Sequence, residues 1–571
     1  MSADVLSIAT HNATLWTSDL FDAKTRAEAR ELLDQGGDAL IEPFYKDLDF
    51  GTGGMRGIMG VGTNRINPYT LGLATQGLAA YAQTFFNRKP LKATIAFDSR
   101  NNSKSFARKV AEVLSANGVH TFLFEDLRPT PELSYAVREL GCDFGIVLTA
   151  SHNPKEYNGY KVYWNDGGQL VPPHDSAVIE KVRATRFEDI RWDANEALIE
   201  TVGTAVDDKY IDMVAGLSLN NVGKTELDIV FTALHGTSIV SVPPALAKAG
   251  FTNVQLVEAQ STPDGNFPTV ASPNPEESAA LAMAVAQAEA TNADLVIGCD
   301  PDTDRVGIAV NDGTDKMQLL NGNDTAALLV HYILDAYKTN GTLPANGFTA
   351  ATVVTTDLIA DISAAYEVPC YRCLTGFKWI ADIIKNKPEE QFLVGGEESY
   401  GYLIGDAVRD KDAVASAVMI AEMAANAKAQ GRTVLQQLEA IHREFGQYQE
   451  RLISITKKGR SGAQEIADMM TALRNDPPKN LAGSPVIIAI DHGKATQTDL
   501  RTGATHSTEL PASNVLQFIT EAGDKVSARP SGTEPKIKFY FSVRTTTGDS
   551  HAATKAELER KIDTFIEELN L

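Results

Sequence analysis

The chain of 571 residues predicts an α/β protein with three related mixed-sheet units and a C-terminal α+β domain. Short apolar runs alternate with helical stretches in three successive rounds between residues 92 and 394, and the last apolar run of each round ends in a polar loop. Beyond residue 450 the pattern changes to strand-like runs followed by one terminal amphipathic helix. A chain of this length divides into several domains of roughly 100 to 200 residues each.

The first round follows an acidic helical segment at residues 24–47, which the cluster Gly36-Gly37-Asp38 is expected to interrupt. Strands are predicted at 94–97 and 121–124, separated by a helix over 105–116 that Asn117-Gly118 ends. A third strand, 145–148, leads into the polar loop 149–154, and another strand-like run follows at 158–163. The first polar loop is therefore expected at the carboxyl end of a strand.

The later rounds repeat this order. The second has strands at 227–231, 254–257 and 295–297, an Ala-rich helix over 276–290, and then the loop 300–305. The third has strands at 351–354 and 392–394, a helix around 379–384, and then the loop 395–399. The fourth domain is predicted from strands at 485–490 and 537–541 and a helix over 554–569, with a linker near the polar region 457–462.

Composition excludes several classes of function. The chain has 52 Lys and Arg against 74 Asp and Glu, a net charge of −22. This charge argues against a nucleic-acid partner, because a protein normally binds nucleic acid through a basic face. No apolar run reaches the length of a membrane span, and the start Met-Ser-Ala-Asp-Val lacks the features of a secretory signal. We therefore expect a soluble cytoplasmic protein without a membrane partner. Cys370 and Cys373 are expected to be ordinary thiols, with a redox pair as the alternative.

The first polar loop offers a nucleophile. Ser151 follows the strand 145–148, and His152 stands beside it. Ligands of open α/β sheets collect at the carboxyl ends of strands, so the loops of the three rounds are predicted to form one composite site. A serine at such an edge can be a nucleophile or can carry a phosphoryl group, and a helix cap is the alternative. Lys161, on the next strand-like run, is expected close enough to neutralise phosphate or move a proton.

The second polar loop offers a metal cage. Asp300, Asp302 and Asp304 alternate in a short turn, and hard carboxylate oxygens of this kind suit Mg²⁺. The turn is not an EF-hand, because Arg305 and an apolar run follow where further ligands would be needed. A solvated acidic turn is the alternative. Arg305 is expected to reach the same phosphate.

Two more loops suit a sugar phosphate. Glu397, Glu398 and Ser399, framed by glycines, can accept hydrogen bonds from paired hydroxyl groups, although such a loop is often only a turn. The run Arg529-Pro530-Ser531-Gly532-Thr533-Glu534-Pro535-Lys536 has the composition of an anion nest, in which arginine can hold phosphate through two hydrogen bonds. A weaker glycine-rich turn carrying Arg56 lies at 50–57.

The motifs at 149–154, 300–305, 396–399 and 529–535 have the order and spacing of the α-D-phosphohexomutase superfamily, which contains phosphoglucomutases and phosphomannomutases. The resemblance covers residues 45–545. It implies four domains around a central cleft, a phosphorylated serine, one Mg²⁺ and a bisphosphorylated sugar intermediate. The metal loop reads Asp-Pro-Asp-Thr-Asp where Asp-Gly-Asp-Gly-Asp is commoner in the family, which keeps all three ligands.

The resemblance also implies a role for each matching residue. The phosphoserine would be Ser151, which would complete a metal site with Asp300, Asp302 and Asp304. The groups around the transferred phosphoryl would be Arg56, His152, Lys161 and Arg305. The sugar hydroxyls would contact Glu397 and Ser399, with Lys378 as a further substrate contact, and the second phosphate would be held by Arg529, Ser531, Gly532 and Thr533.

Two features bear on the sugar. The Glu-Glu-Ser run and the segment 375–379 look like the glucose-preferring members, whereas the length and the start at 50–57 look like a subgroup that includes phosphopentomutases and glucose-bisphosphate synthases. We predict a phosphoglucomutase that interconverts glucose 1-phosphate and glucose 6-phosphate, with glucose 1,6-bisphosphate as intermediate and activator. Its partner is a small-molecule phosphosugar, and no oligomeric state is predicted.

The alternatives are a phosphomannomutase, a phosphopentomutase or a metal-dependent sugar phosphatase. A serine esterase is disfavoured because no G-x-S-x-G frames Ser151, and a non-catalytic sensor could retain the Arg529 loop. The predicted domains are residues 1–205 with the phosphoserine loop, 206–323 with the metal loop, 324–448 with the sugar-binding loop, and 449–571 with the phosphate-binding loop.

Overall fold

A computed structural model describes residues 3–51, 53–314, 316–457, 459–531, 536–545 and 550–571. The chain divides into two compact units. Unit 1 consists of Met1–Asn321, Phe377–Val394 and Ser399–Thr433, and unit 2 consists of Gly322–Gly376, Gly395–Glu398 and Val434–Leu571. The finer boundaries of the four predicted domains stay a prediction.

The first sheet has six strands in the spatial order β1-β5-β4-β2-β3-β6. These are β1 (Gly54–Ile58), β2 (Leu91–Phe97), β3 (Val119–Phe124), β4 (Phe144–Leu148), β5 (Tyr157–Trp164) and β6 (Ile199–Val202). Strands β4, β2, β3 and β6 run parallel to one another, whereas β5 is antiparallel to β4 and β1 is antiparallel to β5. Strand β4 is wholly buried, as expected for a central parallel strand covered on both faces.

The second sheet repeats the design with the order β11-β10-β9-β7-β8. Its strands are β7 (Ile229–Thr232), β8 (Val254–Leu256), β9 (Leu295–Cys299), β10 (Val306–Asn311) and β11 (Met317–Leu320). Strand β7 pairs in parallel with β8 and β9, and β10 returns antiparallel to β9. In both sheets a buried parallel strand turns directly into an antiparallel neighbour, and the polar loop lies at that turn.

The third sheet has the order β13-β12-β14-β15, and the division between the two units passes through β14. Its strands are β12 (Gly347–Thr352), β13 (Cys370–Cys373), β14 (Gln391–Glu397) and β15 (Gly401–Ile404). Strands β12 and β13 are parallel. Cys370 and Cys373, at the two ends of β13, are free thiols.

The fourth sheet lies wholly in unit 2 and has the order β16-β23-β22-β21-β18-β19-β20, with β17 paired to β18. Its strands are β16 (Gln447–Thr456), β17 (Asn480–Leu481), β18 (Ser484–Asp491), β19 (Thr496–Asp499), β20 (Thr505–Ser507), β21 (Leu516–Thr520), β22 (Lys525–Pro530) and β23 (Lys536–Thr545). Every pairing described in it is antiparallel. Helices Gly459–Asn475 and His551–Glu568 contribute to its apolar core, which confirms a C-terminal α+β domain.

The remaining helices surround the sheets. In unit 1 they are Ala3–Leu15, Ala23–Gln35, Gly37–Phe44, Pro68–Phe86, Ser103–Ala116, Thr130–Glu139, His174–Ala184, Thr204–Gly216, Val242–Lys248, Glu258–Ser261, Ser278–Thr291, Lys378–Asn386 and Ala413–Ala429. In unit 2 they are Gly322–Thr339, Leu358–Ala365 and Val434–Phe445. Short 3-10 turns occur at Phe187–Asp189, Glu196–Leu198, Lys224–Glu226 and Thr237–Val240. Among the residues described, no helix has both the length and the apolar character needed to cross a bilayer.

Four local predictions are corrected. The predicted loop at 395–399 is strand up to Glu397, because Gly395 and Gly396 are buried within β14 and the chain turns only after them. Arg56 lies on β1, paired opposite Gly159, and not on a turn. The strand expected at 351–354 ends at residue 352. The linker expected at 457–462 is largely the start of helix Gly459–Asn475.

Candidate active site

The Ser151 loop joins β4 to β5. Its backbone takes a left-handed conformation at Ser151, with φ of 54°, which is uncommon for a residue that carries a side chain. Ser151 is buried, and its Oγ donates a hydrogen bond to Asp300 Oδ2 at 2.8 Å. His152 Nδ1 lies 3.1 Å from Ser151 Oγ. The structure therefore brings the first and second polar loops of the sequence together at one serine hydroxyl.

The metal loop joins β9 to β10. Asp300 Oδ1 accepts the backbone N–H groups of Asp304 and Arg305, at 3.1 and 3.0 Å, which closes the turn on itself. Carboxylate oxygens of Asp300, Asp302 and Asp304 all lie within 4.8 Å of one another, and the three residues are buried. Thr130 reaches this loop from another part of unit 1, since its Oγ1 donates to Asp302 Oδ2 at 3.1 Å.

Two lysines neutralise this acidic cluster. The register of β4 and β5 places Lys161 opposite Val147, and its Nζ donates to Asp302 Oδ2 at 2.7 Å and to Asp304 Oδ2 at 2.9 Å. Lys411 Nζ lies 3.2 Å from Asp304 Oδ2. Burial lowers the pKa of Lys161, but the two carboxylates outweigh it and raise that pKa above its usual value. Lys161 is therefore a cation at neutral pH.

The remaining carboxylate oxygens fit a metal ion. Asp302 Oδ1 and Asp304 Oδ1 are buried and have no hydrogen-bond partner among the described residues. A buried, unpaired carboxylate oxygen is costly unless a cation completes it. The donor set, three carboxylates beside one serine hydroxyl, is made of hard oxygen ligands. The triad can therefore hold a metal ion, and the alternative of a solvated acidic turn does not fit its burial.

The positive groups predicted around the serine differ in their contacts. Arg56 is exposed, and its Nη1 donates to Asn153 Oδ1 at 3.1 Å, within the Ser151 loop. Arg305 pairs with Glu276. Burial, together with the charges of Arg305 and Arg56, lowers the pKa of His152 well below its usual value, so the imidazole is neutral at pH 7. The charges of Arg56 and Arg305 thus both act on His152, and the roles of these three residues around a phosphoryl group stay predictions.

Lys378 and Ser399 belong to the same unit. Lys378 begins helix Lys378–Asn386, and its Nζ lies 4.8 Å from the centre of the Trp379 ring. Burial lowers its pKa, although Asp175 and Asp382 oppose the shift. Ser399 is partly buried in the turn between β14 and β15. Their roles as substrate contacts stay predictions.

Unit 2 carries the other predicted substrate contacts. Glu397 is buried at the end of β14 and accepts the backbone N–H of Gly376 at 2.8 Å. Arg529 lies near the end of β22, and Ser531 follows, with its N–H bonded to Lys536 O at 2.7 Å. Gly532 and Thr533 lie outside the described residues.

Tyr540, which the sequence analysis missed, lies near both Arg529 and the two glutamates of unit 2. Burial and the nearby charge of Glu398 raise the pKa of Tyr540, while a hydrogen bond from Arg529 opposes the rise. The Glu397 side chain also contributes to that shift. Within unit 2, therefore, the sugar loop and the arginine of the phosphate loop act on the same phenol.

Comparison with known proteins supports one family. Three models of phosphoglucomutase/phosphomannomutase α/β/α domains match the chain: domain I at residues 47–189, domain II at 208–313 and domain III at 321–445. A phosphoglucomutase of Staphylococcus epidermidis is 36% identical over 525 residues, which cover 89% of this chain and 95% of that protein. The chain belongs to the phosphoglucomutase/phosphomannomutase family. A phosphoglucomutase of Staphylococcus aureus is 37% identical over 508 residues, which cover 88% of this chain and 91% of that protein.

Solved structures of the family share the fold. A putative phosphomannomutase of Thermus thermophilus aligns with a TM-score of 0.67 at 19% identity, over 92% of this chain and 98% of that one. The open form of parafusin, a phosphoglucomutase of Paramecium, aligns with a TM-score of 0.66 at 17% identity, over 92% of this chain and 96% of that one. The predicted fold class of three α/β domains and a β-rich C-terminal domain is confirmed.

Sequence reasoning missed several groups that support the family's serine and metal loops. Thr130, Lys411 and Arg100 contact these loops from positions far away in the chain. Asp410 in turn binds the Lys411 ammonium at 3.2 Å. The signal available in the sequence was weak: Arg100 lies three residues beyond the end of β2.

Proposed function

We propose that this phosphohexomutase interconverts glucose 1-phosphate and glucose 6-phosphate through a phosphorylated Ser151. The observation that carries the proposal is the 2.8 Å contact between Ser151 Oγ and Asp300 Oδ2, which sets a serine hydroxyl against a buried carboxylate triad. The family relatives named as phosphoglucomutases, 36–37% identical over nearly 90% of the chain, support glucose as the sugar. The enzyme is an isomerase, because substrate and product differ only in the position of the phosphate and no phosphate is released.

The chemistry is two phosphoryl transfers in opposite directions. The bond from phosphorus to Ser151 Oγ breaks as the phosphoryl passes to the free hydroxyl of the sugar monophosphate, which gives glucose 1,6-bisphosphate. The intermediate reverses, and its other phosphoryl passes to Ser151 Oγ, which releases the isomeric monophosphate and restores the phosphoserine. Glucose 1,6-bisphosphate is therefore also the compound that activates unphosphorylated enzyme.

A single Mg²⁺ held by Asp300, Asp302, Asp304 and the Ser151 oxygen would supply positive charge to the phosphoryl oxygens. The chain's own cations add to it. Lys161, which is protonated and bound to two of the carboxylates, would give a proton to the serine or sugar oxygen. His152, uncharged and 3.1 Å from Ser151 Oγ, is placed to accept one.

Two sets of substrate-binding groups would have different tasks. Glu397 and Ser399 would bind the sugar hydroxyls, with Lys378 as a further contact, and Arg529, Ser531, Gly532 and Thr533 would hold the phosphate that is not being transferred. Because the sugar reverses between the two transfers, the same phosphate site must accept the 1-phosphate and the 6-phosphate. Within unit 2, Tyr540 supports a location of Arg529 near the two glutamates, because the charges of Arg529, Glu397 and Glu398 all act on its pKa.

Replacing Ser151 by Ala tests the proposal. The variant should lose mutase turnover with glucose 1-phosphate, because the phosphoryl carrier is gone, and intact-mass measurement of the active wild type should show one phosphate that maps to Ser151. Ser105→Ala, an exposed serine on a nearby helix, is the matched control and should keep full activity. Wild-type turnover by Ser151→Ala would refute the carrier assignment.

The same assay discriminates the alternatives. Run with mannose, ribose and deoxyribose phosphates, it should show the highest kcat/KM with glucose 1-phosphate. A phosphatase would instead release inorganic phosphate in proportion to substrate consumed and would need no bisphosphate. Stoichiometric phosphate release would therefore overturn the mutase reaction even if Ser151 proved essential.

A further inference from the structure

A single buried guanidinium lies beneath the Ser151 loop. Arg100 is 3% exposed and follows β2. Its Nη1 donates to the carbonyls of Pro154 and Tyr157 at 2.9 and 3.1 Å, and its Nη2 donates to the carbonyl of Ser151 at 2.6 Å and to that of Asn153. One side chain thus binds four backbone carbonyls within a stretch of seven residues.

The surroundings of Arg100 keep it away from any substrate. Asp98, itself buried, places Oδ2 at 3.3 Å from Arg100 Nε and supplies the counter-charge. The buried Phe267 ring covers the guanidinium at 5.1 Å from its central carbon. Because carbonyls, a carboxylate and an aromatic ring surround the group, it can act on the reaction only through the loop that it holds.

The loop needs such support. Ser151 has φ of 54°, a conformation that is unfavourable for a residue with a side chain and persists only where its surroundings fix it. The loop's own hydrogen bonds are local, from Ser151 N to Thr149 Oγ1 at 2.8 Å and from Asn153 N to Ala150 O at 3.1 Å. Arg100 binds the backbone carbonyls of residues 151, 153, 154 and 157 with a single side chain.

We infer that Arg100 is a positioning residue of the phosphoryl transfer: its fork fixes the backbone of the Ser151 loop so that Ser151 Oγ is aimed at the metal-binding carboxylates. The inference rests on the proposed role of Ser151. Four carbonyls around a plane match a guanidinium and not an ammonium, whose three donors point to the corners of a tetrahedron. A positive charge at position 100 is therefore not sufficient to hold the loop, and the shape of the guanidinium is needed as well.

Arg100→Lys is the first test. It keeps the charge and pairs with Asp98, but it cannot bind all four carbonyls, so the loop shifts. We expect kcat per phosphorylated site to fall by about 10- to 100-fold, since a displacement of an ångström has effects of that size. KM for glucose 1-phosphate should change by less than about twofold, because Arg100 makes no contact with the sugar or its phosphate. The phosphorylated fraction is measured by intact mass and the folded fraction by circular dichroism, so that kcat refers to folded, phosphorylated enzyme.

Arg65→Lys is the matched control. Arg65 also binds backbone carbonyls through Nη1, those of Glu42 and Asn64 at 3.3 and 3.0 Å, and neither of these carbonyls belongs to the Ser151 loop. It should keep wild-type kcat and KM. A second variant, Arg100→Ala, should regain part of its kcat when guanidinium chloride is added below the concentration that unfolds the protein, and sodium chloride of equal ionic strength should not restore it.

The outcomes separate the inference from the proposed function. Wild-type kcat per phosphorylated site in Arg100→Lys, or a raised KM with unchanged kcat, overturns the positioning role while Ser151→Ala remains inactive. An active Ser151→Ala overturns the proposed function itself. If Arg100→Ala does not fold, Arg100→Lys alone decides, since a tenfold loss of kcat at constant KM supports the inference and wild-type kcat refutes it.

Discussion

Replacement of Lys161 by Met removes the cation that joins two of the three carboxylates. In the wild type Lys161 Nζ makes bonds of 2.7 and 2.9 Å to Asp302 and Asp304, whose side chains are 0% and 2% exposed. Breaking a buried ion pair by removing one partner costs about 3–5 kcal/mol. We expect a value near the lower end, because Thr130 still donates to Asp302 and Lys411 still faces Asp304.

The assay is calorimetry of metal-free protein in a chelator. A loss of about 3 kcal/mol lowers the unfolding midpoint of a unit as large as unit 1 by roughly 4 °C, since the entropy of unfolding grows with chain length. Saturating Mg²⁺ should raise the midpoint of the variant more than that of the wild type, because carboxylate oxygens that had bound an ammonium become available to the metal. Lys385→Met is the control: its partner Asp166 is 3.2 Å away and the pair is partly exposed, so the effect should be within about 1 kcal/mol.

The double variant Lys161→Met/Asp302→Asn completes the test. The neutral amide removes the buried charge that Lys161→Met leaves without its ammonium, so the double variant should be more stable than Lys161→Met alone. Equal midpoints in the wild type and Lys161→Met would refute the charge argument. Turnover at saturating substrate should also fall strongly. If turnover holds and only substrate binding weakens, Lys161 is a phosphate clamp and not a proton donor.

Three further substitutions probe the other groups. Asp302→Ala should abolish turnover at Mg²⁺ concentrations that saturate the wild type, since a weakly dehydrating cation loses one of its carboxylates; an unchanged dependence of rate on Mg²⁺ would contradict the metal assignment. Arg529→Ala should raise KM for both glucose phosphates by about tenfold or more and increase the release of glucose 1,6-bisphosphate, measured by chromatography, because a charge-assisted contact of about 1.5–3 kcal/mol is lost. Unchanged constants in both directions would make the loop a structural turn. Burial and the charge of Glu397 raise the pKa of Glu398 to about 7 in the folded protein. The free energy of unfolding of the protein should therefore fall as pH rises from the pKa of this group in the unfolded chain to about 7. Glu398→Gln should remove that fall and make the protein more stable than the wild type at pH 8. Parallel stability curves for the two proteins between pH 5 and 8 would refute this.

The positions of Ser151 and Asp300 could be predicted because local pattern determines them. A buried apolar run such as β4 or β9 can be recognised as a strand, and the polar residues after it must lie at the strand's carboxyl end. The same reasoning failed at β14. Gly395 and Gly396 read as a turn because glycine pairs usually end strands, yet both are buried in the sheet, and Glu397 is its last residue.

The supporting contacts could not be predicted because their partners are distant in the chain. Arg100 binds a carbonyl 51 residues away, and Thr130 binds a carboxylate 172 residues away. Hydrophobic periodicity reports which face of an element is buried, not which polar group another element will bring to it. The αL conformation of Ser151 was equally hidden, since it is uncommon for a residue with a side chain and no local residue type signals it.

The charges of the site resolve a conflict posed by the composition. A chain with net charge −22 repels a sugar phosphate at long range, and the three carboxylates of the metal loop would repel it at short range too. Lys161 and Lys411 offset two of those charges on the side where they contact Asp304. Asp302 Oδ1 and Asp304 Oδ1, which accept no hydrogen bond from the described residues, are then left for a metal ion, which attracts phosphate. The lysines therefore make a buried triple-carboxylate site tolerable in the absence of metal, and the metal makes it attractive to the substrate.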